Sequence, residues 1–362
     1  MDRKLQQHII IVGAGVIGAA IAYHAAAHVR VTVVAGHAPR ATDASFGWVN
    51  ASYFADDAHF RLRQAGIQAY AALAAEIDIP VQRQSSLCWE TSGAAFDAQY
   101  EALAALGATV RIVDADTFRR LEPHVAEVPD RALLFDDEAV ASSGALADAL
   151  LKKAQARGAR VLAGVDVSGL VTKGDKVVGV QSVVGALHAD QVLIAAGTGT
   201  ESLLRDVDVA LPMLDRPGLM IKTRPVKPIL SHVLASATQE VRQLSCGALL
   251  APGVASHQSD DGAGLDMPID ACADQTITRL CLLVPSVPLA WDSVMLANRP
   301  MPEDGLPAVG SIGPDGLYVA TMHSGITLAA LMGELVTEEI LQGVSNSTND
   351  LLAPYRPQRF NP

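Results

Sequence analysis

Three glycines, Gly13, Gly15 and Gly18, directly follow an apolar run over residues 9–12. The unbroken run predicts a buried parallel strand, which is covered on both faces and need not alternate. In this spacing the first glycine allows a tight turn, the second lets a pyrophosphate approach the backbone, and the third lets the next helix pack closely. The N–H groups at the start of that helix would face the phosphates. With a second strand predicted over residues 29–34, the pattern indicates a dinucleotide-binding βαβ unit, and a fortuitous glycine turn is the alternative.

The end of the second predicted strand departs from this pattern. An acidic residue normally stands there, and its carboxylate accepts hydrogen bonds from the ribose hydroxyls of the adenosine half. Here the position is Ala35, whose side chain cannot form a hydrogen bond. We therefore expect weaker or differently arranged adenosine binding, and we expect a glutamate at position 35 to tighten it.

Two further stretches of small residues could lie against a flat ligand. Residues 195–197, Ala-Ala-Gly, end a second predicted buried strand, at the edge where open α/β sheets place their ligands. Residues 41–53 combine small side chains with Trp48 and Asn50. This second stretch fits either a surface loop or a segment pressed on a cofactor ring.

A second strand–glycine–helix element lies near the C-terminus. A short strand is predicted over residues 317–320 and a helix over residues 328–341, with His323 and Gly325 between them. Like the first helix start, this one can aim N–H groups at a ligand. His323 could tune a bound cofactor or contact a substrate, or it could be satisfied by packing alone.

Arg299 opens a proline-rich loop over residues 299–307. Its guanidinium group is planar and offers two parallel N–H donors, the geometry that pairs with a carboxylate. The sequence therefore nominates Arg299 for binding a substrate carboxylate. A structural role in locking the loop is the alternative.

Bulk properties limit the remaining classes of function. The chain has 362 residues, half of them hydrophobic, which suggests two domains or one interleaved pair. A formal charge of −12 argues against a nucleic-acid surface. The four cysteines lack metal-ligand spacing, so no metal site is predicted. The apolar stretch over residues 9–23 is shorter than the roughly 20 residues of a membrane span. No separate signal peptide fits before the first strand, so a cytoplasmic protein is expected.

Three local predictions concern polar and β-branched segments. Residues 57–77 are predicted as a helix, with Arg61 and Arg63 on a solvated face rather than steering an anionic substrate. Residues 136–138, Asp-Asp-Glu, are predicted as a solvated turn rather than a metal site. Residues 276–284 are predicted as one strand of an antiparallel sheet.

Five motifs together resemble those of the flavin-dependent amine and amino-acid oxidases, the family of glycine oxidase, sarcosine oxidase and D-amino-acid oxidase. The motifs are Gly13-Ala14-Gly15-Val16-Ile17-Gly18, Ala44-Ser45-Phe46-Gly47-Trp48, Ala195-Ala196-Gly197, Arg299-Pro300 with Asp304-Gly305-Leu306-Pro307, and His323-Ser324-Gly325-Ile326-Thr327. The first motif occurs in many nucleotide-binding proteins, whereas the complete set is specific. The resemblance covers nearly the whole chain and is loosest over residues 57–136 and 252–276.

This resemblance implies an α/β fold in which a Rossmann-like FAD-binding domain is interleaved with an antiparallel-sheet substrate domain. The FAD-binding domain would comprise residues 1–56, 137–204 and 295–362. The substrate domain would comprise residues 57–136 and 205–294, and it would cover the flavin.

The resemblance also implies roles for individual residues. Those that bind FAD would be Gly13, Gly15, Val16, Ile17, Gly18, Ala35, Ala44, Ser45, Phe46, Gly47, Val167, Ala196, Gly197, Gly325, Ile326 and Thr327. Val167 would bond the adenine through its backbone. Arg299 would grip the substrate carboxylate. Trp48 and Asn50 would line the substrate side, and His323 would be the residue closest to catalysis.

The implied reaction is oxidation of the C–N bond of a small amine or amino acid, with hydride transfer to flavin N5 and formation of an imine. Oxygen or another acceptor would reoxidise the flavin. Sarcosine oxidases attach flavin through a cysteine near the position of Arg299. Since no cysteine follows Cys281, non-covalent FAD is expected here. Two alternatives stay open: a flavin-binding homologue or subunit with reduced activity, and a nicotinamide dehydrogenase that shares only the first βαβ unit.

Overall fold

A computed structural model describes residues 7–254 and 267–361. The helices in these residues are α1 (Val16–Ala25), α2 (Asp57–Glu76), α3 (Gly93–Ala105), α4 (Ala115–Leu121), α5 (Ser143–Ala156), α6 (Thr200–Leu204), α7 (Ile269–Leu283), α8 (Gly325–Gln342) and α9 (Asn346–Leu352). The strands are β1 (His8–Val12), β2 (Arg30–Ala35), β3 (Trp48–Val49), β4 (Val81–Arg83), β5 (Ser86–Trp89), β6 (Val110–Asp114), β7 (Arg131–Phe135), β8 (Ala139–Ala141), β9 (Arg160–Ala163), β10 (Val167–Thr172), β11 (Val177–Ser182), β12 (Gly185–His188), β13 (Gln191–Ile194), β14 (Met213–Leu214), β15 (Pro217–Thr223), β16 (Val233–Ser236), β17 (Glu240–Gln243), β18 (Leu249–Pro252), β19 (Trp291–Asn298), β20 (Met301–Pro302), β21 (Ala308–Ser311) and β22 (Leu317–Thr321).

A six-stranded sheet carries the N-terminal glycine motif. Its strand order is β21-β22-β13-β1-β2-β9, and the strands run parallel except β21, which pairs antiparallel with β22. Strand β1 therefore lies inside the sheet, between β2 and β13. A strand in that position is covered on both faces, which is the reason for its unbroken apolar sequence.

Each face of this sheet has its own hydrophobic core. Ile9 and Ile11 of β1 pack with residues of helices α1, α5 and α8. Ile10 and Val12 point to the other face, where they pack with the antiparallel sheet β10-β11-β12. The three isoleucines are fully buried, and each contributes about 1.5–3 kcal/mol of burial free energy. The sheet is thus sandwiched between a helical layer and a small β-sheet.

The second large sheet has eight strands in the order β19-β15-β18-β17-β16-β5-β7-β6. Neighbouring strands run antiparallel, except that β16 pairs with β5 in parallel. Two separate chain segments build this sheet, one contributing β5 to β7 and the other β15 to β19. The predicted fold class, a Rossmann-like unit interleaved with a mainly antiparallel sheet, is confirmed. The domain limits given above stay a prediction.

Residues 276–284 are mostly helical, so the predicted strand is wrong. Helix α7 buries Thr276, Leu280 and Leu283, which follow the i, i+4, i+7 spacing of one helix face. The β-branched run of Thr276, Ile277 and Thr278 favoured a strand, but this apolar face packs on the large sheet and outweighs that weak preference.

Three findings concern features that the described ranges lack. No helix in residues 7–254 and 267–361 is long and apolar enough to cross a bilayer. The same ranges hold no group of three or more histidine, cysteine, aspartate or glutamate residues arranged to bind a metal ion. In these ranges the four cysteines form no disulfide bond.

Candidate active site

A cavity of about 1070 Å³ lies where the two large sheets meet. One side is formed by the carboxyl ends of β1, β2, β13 and β22, and the other by β15, β19 and α7. Pockets for small ligands usually span roughly 300–1,000 Å³. The size therefore suits a large cofactor together with a small molecule. Open α/β sheets bind their ligands at this carboxyl edge of the parallel strands.

Every predicted site residue except Gly18 lines this cavity. The lining members are Gly13, Gly15, Val16, Ile17, Ala35, Ala44, Ser45, Phe46, Gly47, Trp48, Asn50, Val167, Ala196, Gly197, Arg299, His323, Gly325, Ile326 and Thr327. Gly18 lies behind the turn, where a Cβ atom would come within 2.1 Å of the Gly13 carbonyl oxygen. Folding thus collects motifs from both ends of the chain, and the roles of the individual residues stay predictions.

The turn between β1 and α1 is shaped to receive a phosphate group. Gly13 has φ of +111°, and a Cβ atom there would lie 2.3 Å from the carbonyl oxygen of Ala195. Helix α1 begins after Gly15 with no side-chain cap and no acidic residue in its first turn. The Val16 N–H donates to the Thr42 hydroxyl at 3.1 Å. Thr42 accepts one N–H group of this helix start, but the positive end of the helix still faces the cavity and favours an anion, so these residues fit the pyrophosphate of a dinucleotide.

A second helix start faces the same cavity. Helix α8 begins after Ser324, again without a side-chain cap and without an acidic residue in the first turn. A Cβ atom at Gly325 would lie 3.5 Å from the Ile17 side chain, so the two helix starts are close neighbours. Two partial positive charges therefore converge on the cavity, which suits a ligand with more than one electron-rich group.

Arg63 lines the cavity, so the prediction that it lies on a solvated helix face is wrong. It is 4% exposed instead of solvated. Its Nε donates to the Asn50 carbonyl oxygen at 3.0 Å, its Nη2 to Asn50 Oδ1 at 2.5 Å, and its Nη1 to the Ser324 hydroxyl. Burial lowers the pKa of Arg63 to about 10, so the group is still a cation at neutral pH. The spacing of buried Arg63, Gly66 and Tyr70 along α2 is the signal that could have found it.

The prediction of a solvated turn over residues 136–138 is wrong at Glu138, because its carboxyl group is buried. One oxygen accepts the backbone N–H groups of Ala51 and Ser52, each at 3.2 Å. The other accepts the Trp48 indole N–H at 2.8 Å and the Ser86 hydroxyl. Burial raises the pKa of Glu138 to about 7, although these hydrogen bonds oppose the rise. Glu138 therefore fixes the segment that carries Trp48 and Asn50 along the cavity.

Helix α7 supplies cavity residues that the sequence did not nominate, and Arg279 lies in the segment that was wrongly predicted as a strand. Cys272, Gln275 and Arg279 line the cavity at i, i+3 and i+7, so they share one helix face. Arg279 donates to Gln239 Oε1 at 2.6 Å and to the Gly253 carbonyl oxygen at 2.9 Å. Both acceptors are uncharged, and burial lowers the pKa of Arg279. In addition to the guanidinium group of Arg63, the helix thus brings that of Arg279 to the side of the cavity opposite the glycine turn.

Arg299 and His323 reach the cavity from the two sheets. Arg299 follows β19, and its backbone N–H donates to the Arg216 carbonyl oxygen at 2.8 Å. Its side chain runs past Gly218, where a Cβ atom would lie 3.7 Å from Arg299 Cγ. His323 follows β22 and precedes α8. Both predicted residues therefore lie at the cavity wall. Arg299 follows a strand of the eight-stranded sheet, and His323 follows a strand of the six-stranded sheet.

The fold and the cavity define a class of protein that holds an extended dinucleotide across parallel strand ends, beneath a second, mainly antiparallel sheet. The family is established by a match of residues 8–339 to the family described as DAO, FAD dependent oxidoreductase. The chain belongs to this family. It is an FAD-dependent oxidoreductase of a family whose members act on amino acids and amines, as the motif resemblance predicted.

Three known proteins illustrate the similarity. An uncharacterized oxidoreductase, YurR of Bacillus subtilis, is 26% identical over 96% of this chain and 98% of its own length. The hydrogen cyanide synthase subunit HcnC of Pseudomonas aeruginosa is 28% identical, over 71% of this chain and 61% of that protein. The crystal structure of glycine oxidase from Geobacillus kaustophilus superposes with a TM-score of 0.83 at 25% identity, covering 98% of this chain and 99% of that one.

Acid precipitation should leave all of the FAD in the supernatant. The sequence predicts non-covalent FAD, and Cys272 is the thiol that lines the cavity. Its sulfur lies 3.8 Å from the Met267 carbonyl oxygen. The absorption spectrum of supernatant and pellet measures the partition. Flavin that stays in the pellet of the wild-type protein but not of a Cys272→Ser variant would contradict the prediction.

Proposed function

We propose that this protein oxidises the C–N bond of a small amino acid, with FAD as the hydride acceptor. The observation that carries the proposal is one continuous cavity with a phosphate-binding turn on one side and the guanidinium groups of Arg299 and Arg279 on the other. Cationic groups of this geometry favour a carboxylate. The substrate is therefore an α-amino or imino acid rather than a plain amine.

The chain's own residues have mainly positioning to do. When bound, FAD supplies the electron sink that takes the hydride from the α carbon, while the amine nitrogen forms the C=N bond and releases a proton to water. Arg299 would hold the carboxylate so that the α C–H bond points at the flavin ring, since orientation is the main contribution that a protein makes to such a transfer. The buried cation of Arg63 and the start of α8 favour the negative charge that accumulates on the reduced ring.

Relatives of this chain support the amino-acid class without fixing the substrate. The superposed structure is a glycine oxidase, and two further relatives are D-amino acid dehydrogenases. These proteins include both oxidases and dehydrogenases. Oxygen and another oxidant are therefore both candidates for the electron acceptor of this chain.

Anaerobic bleaching tests the proposal. Purified protein should be yellow, and a member of a panel of small amino and imino acids should reduce its flavin band under argon. The matched control is the corresponding amine without a carboxylate, which should reduce the flavin at least about tenfold more slowly at equal concentration because it lacks the charged hydrogen bonds. A yellow protein that no panel member bleaches would contradict the proposal.

Arg299→Leu should raise the KM for the amino acid by about 10- to 100-fold, since a hydrogen-bonded charge pair contributes about 1.5–3 kcal/mol. Arg299→Lys keeps the charge but loses the planar pair of donors, so its KM should lie between those of the wild type and the leucine variant. Steady-state kinetics on all three proteins, and on the carboxylate-free amine, provide the measurement. An equal effect on amine and amino acid would refute carboxylate binding.

A second candidate function is that of a subunit with low activity of its own. The observation behind it is the similarity to HcnC, which is a subunit of hydrogen cyanide synthase. The bleaching experiment separates the two candidates, because such a subunit would bind FAD yet stay yellow in the presence of every amino acid.

A further inference from the structure

A carboxylate from a distant loop lies beside the end of β2, where the expected acid is missing. Ala35 lines the cavity, and its carbonyl oxygen accepts the Val165 N–H at 3.0 Å. This bond brings the loop between β9 and β10 against the end of β2. Asp166 is the next residue of that loop, and it also lines the cavity. A carboxylate is therefore present beside Ala35 although the local sequence lacks one.

The position of the Asp166 carboxylate is fixed by contacts one and two residues beyond Ala35. Its Oδ1 accepts the His37 backbone N–H at 2.9 Å, and its Oδ2 lies 2.9 Å from His37 Nδ1. A Cβ atom at Gly36 would come within 2.1 Å of Oδ1. A side chain at position 36 would displace this carboxylate, so glycine there lets the carboxylate lie against the backbone that follows Ala35.

The carboxylate also has the chemistry to bind hydroxyl groups. The side chain of Asp166 is 53% exposed, so a ligand in the cavity can reach it. The hydrogen bonds from His37 hold the pKa of Asp166 below its usual value, so the group is an anion at neutral pH. Each oxygen has one hydrogen-bond partner in His37 and can accept a further bond, because an ionised carboxylate has about four acceptor positions.

The neighbouring residue indicates which part of the ligand lies here. Val167, directly after Asp166, also lines the cavity. The family resemblance implies, as a prediction, that its backbone bonds the adenine of FAD. Adenine and ribose are adjacent in FAD, so two adjacent residues can contact them. We infer that Asp166 binds the hydroxyls of the adenosine ribose of FAD and replaces the acid that is absent at position 35. This inference depends on FAD as the cofactor and not on the reaction proposed above.

Binding measurements on the full-length protein after removal of its flavin test the inference. Asp166→Ala should raise the Kd for FAD by about 10- to 100-fold, the effect of losing hydrogen bonds to a charged group. The Kd for FMN should change less than about threefold, because FMN lacks adenosine and loses no hydrogen bond to this carboxylate. Flavin fluorescence titration measures both. An unchanged Kd for FAD, or an equal loss for FAD and FMN, would overturn the inference.

Two further variants separate ribose binding from a purely structural role. His37→Ala keeps the carboxylate but removes its ring partner, so most of the FAD affinity should remain. If His37→Ala alone reproduces the loss seen in Asp166→Ala, the inference fails. In the double variant Ala35→Glu/Asp166→Ala the carboxylate returns to the end of β2, and the Kd for FAD should recover to within about threefold of the wild-type value.

The same geometry changes the expectation for Ala35→Glu alone. The sequence predicts tighter FAD binding for this variant, because position 35 itself carries no carboxylate. With Asp166 beside it, a glutamate at position 35 adds a like charge to the same place. The single variant should therefore bind FAD no more tightly than the wild type, and a tenfold gain in affinity would show that Asp166 does not serve the ribose.

Discussion

Arg63→Met should weaken FAD binding by about 100-fold, because FAD would then have to order the Asn50 and Ser324 segments that Arg63 holds at the cavity wall, and each lost hydrogen bond costs about 1–3 kcal/mol. Arg63 ties the segment after β3 to the start of α8, and both line the cavity. Fluorescence titration of the flavin-free protein measures the loss. The variant should also fold less stably, so its melting temperature is recorded alongside the binding constant.

The reduction potential gives a second readout that a purely structural role of Arg63 would not move. Arg63 lines the cavity that would hold the flavin, so removing this buried cation should disfavour the anionic reduced ring. A change of about 1.4–2.8 kcal/mol corresponds to roughly 30–60 mV for two electrons. Arg61→Met is the matched control, since Arg61 is exposed on the same helix. The prediction is wrong if both variants shift the potential equally or if Arg63→Met leaves it unchanged.

Glu138→Gln should remove a pH dependence of stability that the wild-type protein shows. The pKa of the Glu138 carboxyl is raised by burial from 4.5 to about 7. A raised pKa means that the stabilising contribution is fully present below pH 4.5 and is lost as the pH rises through about 7. Relative to the glutamine variant, the wild type should lose about 2–3 kcal/mol of unfolding free energy between about pH 5 and pH 8.

Urea unfolding at the two pH values measures this difference. The control is Asp137→Asn, which removes a carboxylate one residue away that accepts a hydrogen bond from Gln64. A parallel pH dependence in the wild type and in Glu138→Gln would contradict the prediction. Glu138→Ala should be less stable than Glu138→Gln, because it leaves the indole N–H of Trp48 and the backbone N–H groups of Ala51 and Ser52 without an acceptor.

The two predictions concern one connected region of the cavity wall. Glu138 holds Trp48 from one side, and Arg63 holds Asn50 from the other. Thr327 of α8 completes the region, since its hydroxyl accepts the Asn50 N–H and donates to the Trp48 carbonyl oxygen, both at 3.3 Å. A buried carboxyl group and a buried cation thus position a short segment that the sequence identified only by its small residues.

The parts of the fold that the sequence predicted correctly depend on local signals. Strand β1, the glycine turn and the start of α1 are encoded in consecutive residues, because a parallel strand buried on both faces is apolar throughout and the tight turn requires glycine at position 13. The start of α8 has the same kind of signal. The prediction over residues 276–284 failed because β-branched side chains are only a weak guide when an amphipathic face packs on a sheet.

The sequence by itself determined the class of ligand, through the spacing of the glycines and the second helix start. Tertiary structure alone decided which polar groups would surround it. Arg63 meets Ser324 across 261 residues, His37 meets Asp166 across 129, and Trp48 meets Glu138 across 90. No local pattern encodes such pairs, because the burial of a charge and the identity of its partner depend on how distant segments pack. Ala35 shows this most clearly, since the carboxylate absent from its own strand is supplied by the loop that packs beside it.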